Sequence, residues 1–147
     1  GTLLAFDSAD NDSYTEFADM QTAYDDLPAH VIEYFEKVKC KYGVPGGLDD
    51  LISPAQKRIL ERNQVEWPLI VTHPITNKKS IYFSPLTMVQ SNLPLEADKL
   101  LEYCEKYTYK HNWKPGDILL WDNRRVMHRR PAFKGHRQLF RTCFRYE

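Results

Sequence analysis

Cysteine is scarce and unpatterned in this chain: Cys40, Cys104 and Cys143 are odd in number, far apart and in no CxxC spacing. That excludes a disulfide framework and suggests no zinc knuckle, and it fits a reducing compartment. Net charge is also missing. Lys and Arg number 20 and Asp and Glu number 20, with a pI near 7.1, whereas a general polyanion binder needs a cationic surplus. No apolar run is long enough to cross a bilayer, and no basic n-region followed by an apolar h-region is seen. If residue 1 is the true start, the expectation is a cytoplasmic protein with no membrane partner. Internal repeats and low-complexity tracts are absent too.

What is present suits one core and one domain over residues 1–147, with 42% hydrophobic and 13% aromatic residues. The neutral total hides an asymmetry. Asp7, Asp10, Asp12, Glu16, Asp19, Asp25 and Asp26 crowd the beginning. Arg124, Arg125, Arg129, Arg130, Arg137, Arg141 and Arg145 crowd the end, and the positive field concentrates around His128.

"TLLAF" (2–6) reads as a strand and "DSADNDSYT" as a polar loop. Phe17, Met20, Tyr24 and Leu27 fall at helical spacing, and a second stripe of Val31, Tyr34, Phe35 and Val38 follows Pro28. "YGVPGGLDD" (42–50) has the composition of a mobile loop or lid, or of a plain connector. Ser53, Pro54 and Gln56 make a capping-box start to a helix through about residue 63. "WPLIVTH" and "SIYF" read as strands joined by the turn "PITNKK". A helix is expected at about 94–106, on Ala97, Leu100, Leu101 and Cys104. After it come the strand "YTYKHNW", the turn "KPGD", a buried strand "ILLWDN", and a long final strand in "HRQLFRTCFRYE" with an irregularity after Leu139. The sum is an antiparallel sheet with helices on one side.

Chemistry concentrates in "GDILLWDNRRVMHRRPAFKGHRQLFR", which joins a turn, a strand, a histidine and two arginines four residues apart. On a strand, positions i and i+4 face the same side. Arg137 and Arg141 can therefore point into one cavity beside His128, a setting for a small dicarboxylate next to a metal.

This sequence resembles the iron(II)- and 2-oxoglutarate-dependent dioxygenases of the taurine dioxygenase / 2,4-dichlorophenoxyacetate dioxygenase family. Three segments carry the resemblance, in the family's order: "TEFADMQTAYDDLP" (15–28), "WPLIVTHPITNKKSIYF" (67–83) and "GDILLWDNRRVMHR". It implies a mainly β fold with flanking helices: a double-stranded β-helix (jelly-roll, cupin-like) core, incomplete at its N-terminus, of which this chain is the C-terminal part. It further implies His128 as the distal histidine of a 2-His-1-carboxylate iron(II) site, which leaves positions open for 2-oxoglutarate and O2. Arg137 would grip the far carboxylate of 2-oxoglutarate, with the Thr15 hydroxyl as a second donor. Arg141 would face the other carboxylate or an acidic substrate. Asp122, Asn123 and Arg124 would fix the turn that presents His128, while Trp121 reads as core. The implied partner is a small anionic organic substrate, carboxylate before sulfonate, with no nucleic acid; a homo-oligomer stays open.

One departure is plain. The family draws its other two ligands from His-x-Asp or His-x-Glu, and none of His30, His73, His111, His128 or His136 is followed that way. The expectation is that those ligands lie ahead of residue 1; the other reading is a relative that no longer binds iron. "DNDSYT", where the family has glycines before its threonine, is a second departure. Without the family, His128 reads as a hydrogen-bonded structural residue, and Arg137 and Arg141 read equally well as edge-strand charges. Arg125, Arg129 and Arg130 read as surface charges, and His73 as structural. Two other functions remain: a noncatalytic relative, or an anion- or nucleic-acid-binding module that uses Tyr107, Tyr109 and Trp113 as stacking surfaces.

Overall fold

The structure is a computed structural model that describes residues 1–8, 14–43, 53–62, 64–93, 97–132 and 136–143. It is mainly β with flanking helices. In chain order the elements are β1 (Thr2–Ser8), β2 (Tyr14–Asp19), α1 (Met20–Asp25), α2 (Ala29–Phe35), β3 (Lys39–Tyr42), α3 (Pro54–Arg62), β4 (Val65–Pro68) and β5 (Ile70–Thr72). They continue with β6 (Lys79–Ile81), β7 (Met88–Ser91), α4 (Ala97–Glu105), β8 (Thr108–Asn112), β9 (Ile118–Leu120), β10 (Val126–Arg129) and β11 (Arg137–Thr142).

Two antiparallel three-stranded sheets, ordered β11-β1-β9 and β10-β2-β8, carry the candidate site. A third, β4-β3-β7, and the β5-β6 ribbon lie beside the helices. The main core gathers Met20 and Ala23 of α1, Phe35 of α2, Val38, Cys40 of β3, and Leu69, Ile81 and Phe83 with Leu100 and Cys104 of α4. Each large side chain among these contributes about 1.5–3 kcal/mol by leaving water.

Phe17, expected on a helix with Met20 and Tyr24, lies instead on β2. Thr15 and Phe17 alternate inward with the period of a strand, and Asp19 starts the helix two residues later. The Asp19 carboxylate accepts from the amides of Gln21 (3.1 Å) and Thr22 (3.2 Å), the usual N-cap geometry. The polar stretch before it also gives up Tyr14 to the strand. Val38, expected on the second helix, lies just past the end of α2, where its amide donates to the Phe35 carbonyl.

The capping box of α3 is formed: the Gln56 amide donates to Ser53 Oγ, and the Ser53 amide to Gln56 Oε1. The β5-β6 hairpin forms with Asn77 at φ 57, a conformation that asparagine tolerates. Helix α4 begins at Ala97, and residues 94–96 lie outside the described residues. In "KPGD", Gly116 takes φ 89 while the Asp117 amide donates to the Lys114 carbonyl, so Pro115 and Gly116 occupy the two inner places of a type II turn. The irregularity of the last sheet falls on β1, between Ala5 and Asp7, rather than on β11.

"ILL" is less buried than its apolarity suggests. Only Leu119 turns inward; Ile118 and Leu120 sit on the outer face, where Leu4, Phe6 and Phe140 are also exposed. Strict alternation in a one-layer sheet forces this, because every second residue must face away from the opposing sheet. Strands β3 and β7 carried no legible pattern. Of the loop expected at 42–50, Tyr42 ends β3, and 44–50 lie outside the described residues. Among the described residues no helix is long and apolar enough to cross a membrane.

Candidate active site

Cross-strand pairing places His128 of β10 opposite Phe17 of β2, which in turn lies opposite Tyr109 of β8; Thr15 lies opposite His111. Paired residues share a face. The His128 imidazole stacks on Phe17, with ring centroids 6.2 Å apart, and leans against Trp121 at 4.9 Å. Trp121, expected as core, is half-buried here and braced by its indole N–H donating to Asn123 Oδ1. Partial desolvation first, and the positive charge of Arg141 second, hold the His128 pKa below its ordinary 6.5. The ring is therefore mainly neutral at pH 7, with a lone pair free for a Lewis acid.

The turn before β10 is tied from both sides. Asp122 Oδ1 accepts from the Arg124 amide at 2.9 Å, and Oδ2 accepts from His73 Nε2 at 2.8 Å. His73 Nδ1 already accepts from the amides of Ile75 and Thr76, so Nε2 carries the proton. His73 is thus a structural strut between the hairpin and the histidine-bearing turn. Ser80 completes the strut by donating to the Arg124 carbonyl. Burial works to raise the Asp122 pKa, but the bonds from His73 and the Arg124 amide outweigh it and leave the carboxyl below its ordinary value.

On β11, Arg137 and Arg141 occupy one face, opposite Ser8 and Leu3 of β1. Arg141 and His128 line a common cavity of about 240 Å³, with Tyr82, Ser84, Asn123 and Met127 on its wall. Arg137 reaches β2: its Nη2 donates to Thr15 Oγ1 at 2.8 Å and its Nη1 to the Tyr14 carbonyl at 3.3 Å. Burial, then the nearby charge of Arg130, push its pKa below the ordinary arginine value. It stays charged regardless, since arginine is not deprotonated in proteins. A half-buried cation that bridges two sheets is no edge-strand charge.

The structure therefore joins Thr15 to Arg137 and His128 to Arg141. It pairs Arg125 with Asp19, and Arg129 with Glu16 and Glu105, all at the surface. Among the described residues no group of three His, Cys, Asp or Glu gathers that could hold a metal. The aromatics considered for nucleic-acid stacking do not form one exposed surface: Trp113 is buried and Tyr107 is half-buried, donating to the Tyr103 hydroxyl. The places of Tyr82 and Ser84 in the cavity wall had no sequence signal, because each depends on a partner distant in the chain.

A family model for taurine catabolism dioxygenase TauD, TfdA family, matches residues 2–143. The chain is 32% identical over 126 residues to the alpha-ketoglutarate-dependent 2,4-dichlorophenoxyacetate dioxygenase of Burkholderia sp. (strain RASC), a match covering 78% of this chain and 42% of that protein. It superimposes on AAD-2 in complex with Mn(II) and N-oxalylglycine with a TM-score of 0.78 at 26% identity, covering 94% of this chain and 59% of that one. A taurine dioxygenase from Burkholderia xenovorans shares the fold with a TM-score of 0.73 at 20% identity, over 94% of this chain and 49% of that one. The chain thus spans about half the length of the relatives it matches. The same jelly-roll sheets, and a match running nearly end to end, place it: the chain belongs to the taurine catabolism dioxygenase TauD, TfdA family.

Proposed function

We propose that this chain is part of an iron(II)- and 2-oxoglutarate-dependent dioxygenase, which hydroxylates a small anionic organic substrate with release of succinate and CO2. The observation that carries the proposal is the placement of a neutral imidazole, His128, with Arg141 in one cavity, together with the Arg137–Thr15 clamp on the same face of β11 as Arg141. These donors fit the groups in question. A neutral imidazole suits iron(II), and a planar guanidinium beside a hydroxyl suits a carboxylate. Iron(II) with 2-oxoglutarate would supply the activation of O2 that hydroxylation requires.

This chain's own residues then have separate tasks. His128 provides one ligand nitrogen, with its ring angle set by Phe17 and Trp121. Arg137 and Thr15 hold the carboxylate of 2-oxoglutarate remote from its keto group. Arg141 fixes the second carboxylate or the anionic group of the substrate, carboxylate or sulfonate. Met127, on the wall of the same cavity, would limit water at the reacting carbon. No His-x-Asp or His-x-Glu occurs in these 147 residues, so the proposal requires the remaining iron ligands from elsewhere in the full enzyme. A cytoplasmic location accords with three free cysteines.

The test is an anaerobic titration of the protein with iron(II) and 2-oxoglutarate, followed by visible absorption. A weak charge-transfer band should grow in with the chelated complex and vanish in His128→Ala and Arg137→Ala. A full-length wild-type protein that carries the other iron ligands and gives no band overturns the proposal.

A further inference from the structure

Thr15 is 2% exposed, and its hydroxyl is engaged twice from within the protein. Trp113 Nε1 donates to Thr15 Oγ1 at 2.8 Å, and Arg137 Nη2 donates to the same oxygen at 2.8 Å. A hydroxyl has two lone pairs and one proton, and indole and guanidinium nitrogens can only donate. Both lone pairs are therefore filled. The proton is the one bonding valence left, and among the described residues no acceptor takes it.

The indole is itself fixed. The His111 ring meets it edge-on, with centroids 4.5 Å apart. His111 is held by Asp117 Oδ2 at Nε2 (3.1 Å) and by the Tyr109 hydroxyl at Nδ1 (3.3 Å), and the Lys114 amide donates to the same Asp117 oxygen. The other face of the arrangement is Arg137, whose guanidinium carbon lies 5.7 Å from the Trp113 ring centroid. The turn at 114–117 thus positions the indole, and the indole positions the hydroxyl.

We propose that Trp113 is a positioning residue that locks the Thr15 hydroxyl as a proton donor, so that Thr15 and Arg137 together offer donors alone and select a fully ionised carboxylate. This rests on the proposed 2-oxoglutarate reading. An amide or alcohol entering the same place would set one of its own protons against the Thr15 proton or the guanidinium, and that mismatch rejects it. A carboxylate brings acceptors only. Without the indole N–H, the hydroxyl regains a free lone pair and can turn its proton away.

Trp113→Phe keeps a ring against Arg137 and His111 and deletes the donor along with the volume of the second ring, a packing loss that 2-oxobutyrate binding controls for. Binding is measured by calorimetry without oxygen, in the presence of Mn(II), for 2-oxoglutarate and for 2-oxobutyrate, which lacks the far carboxylate. The variant should bind 2-oxoglutarate about tenfold more weakly, the worth of one hydrogen bond to a charged group. Its affinity for 2-oxobutyrate should hold within about twofold, because that ligand never meets the Thr15 proton. In a Thr15→Val background, Trp113→Phe should have no further effect on 2-oxoglutarate. As a measurement that needs no variant, the Trp113 indole N–H resonance of the wild type should shift with 2-oxoglutarate and stay in place with 2-oxobutyrate. Equal binding by wild type and Trp113→Phe, an equal loss for both ligands, or an indole signal that ignores 2-oxoglutarate overturns this inference alone. A full-length wild type, carrying the other metal ligands, that binds 2-oxobutyrate and 2-oxoglutarate equally, or binds neither, overturns the 2-oxoglutarate reading together with it.

Discussion

Removing the Asp122 carboxylate tests how the fold presents His128. In Asp122→Ala two bonds disappear, the 2.9 Å acceptance from the Arg124 amide and the 2.8 Å acceptance from His73 Nε2. The His73 side chain is only 12% exposed, and its other nitrogen is already occupied by two amides. Its N–H is therefore left nearly buried without a partner, which costs about 1–3 kcal/mol. The Asp122 side chain is 38% exposed, so water can partly replace it and the charge term is small. The expected loss is about 2 kcal/mol in urea unfolding, or a fall in Tm of about 5 °C for a domain of this size. Asp122→Asn, which retains an acceptor for the Arg124 amide, should lose about half as much. Iron(II) affinity should fall by about tenfold, since the turn that aims His128 loosens. A stability change under about 0.5 kcal/mol, the range of an ordinary surface substitution, would refute the strut between hairpin and turn.

Acid should weaken the same region. Burial raises the pKa values of Asp19 and Asp122, yet their bonds to Arg125 and Thr22, and to His73 and Arg124, leave both below the ordinary 3.8. Their stabilisation is then complete above that value and lost as pH falls through the folded-state pKa values. Urea midpoints should fall modestly as pH drops through about 6.5, where the unfolded chain protonates His128 more readily, and fall further below about pH 4, with a shallower acid drop in Asp19→Asn. Thiol titration of the native protein should show fast reaction at exposed Cys143 only, since Cys40 and Cys104 are buried and desolvation pushes the Cys104 thiol up to about 12; rapid modification of all three would contradict the core. Leu69→Ala, at a fully buried position, should cost about 2–5 kcal/mol in the same unfolding assay.

Local rules made much of the fold legible. The α3 capping box, the Asn77 hairpin and the Pro115–Gly116 turn each rest on a few adjacent residues whose chemistry has one good solution. Misreadings arose where two periods overlap. Phe17, Met20, Tyr24 and Leu27 satisfy a helical spacing, but Thr15 and Phe17 also satisfy a strand, and pairing with β8 and β10 decides for the strand. "ILL" looked uniformly buried because apolarity carries no information about which face of a single sheet is covered.

The site divides along the same line. His128, Arg137 and Arg141 stood out as candidates through their spacing along one chain segment, a histidine near a turn and then two arginines four apart on a strand, but only the family resemblance set them apart from structural residues and edge-strand charges. The proximity of Thr15 to Arg137 is different, because these residues are 122 positions apart and meet only through the antiparallel stacking of β2 and β11 from two sheets. Motif resemblance supplied that pairing, and composition could not. Trp113 lay beyond both: the sequence offered it only as a stacking surface, and it is buried here. Its use becomes visible only when each hydrogen-bonding valence of Thr15 is assigned in turn and one proton remains with nowhere inside the described protein to go. For buried polar groups near a ligand pocket, the informative quantity is therefore the valence left over after the protein has satisfied itself, because that remainder dictates which chemical group the pocket can accept.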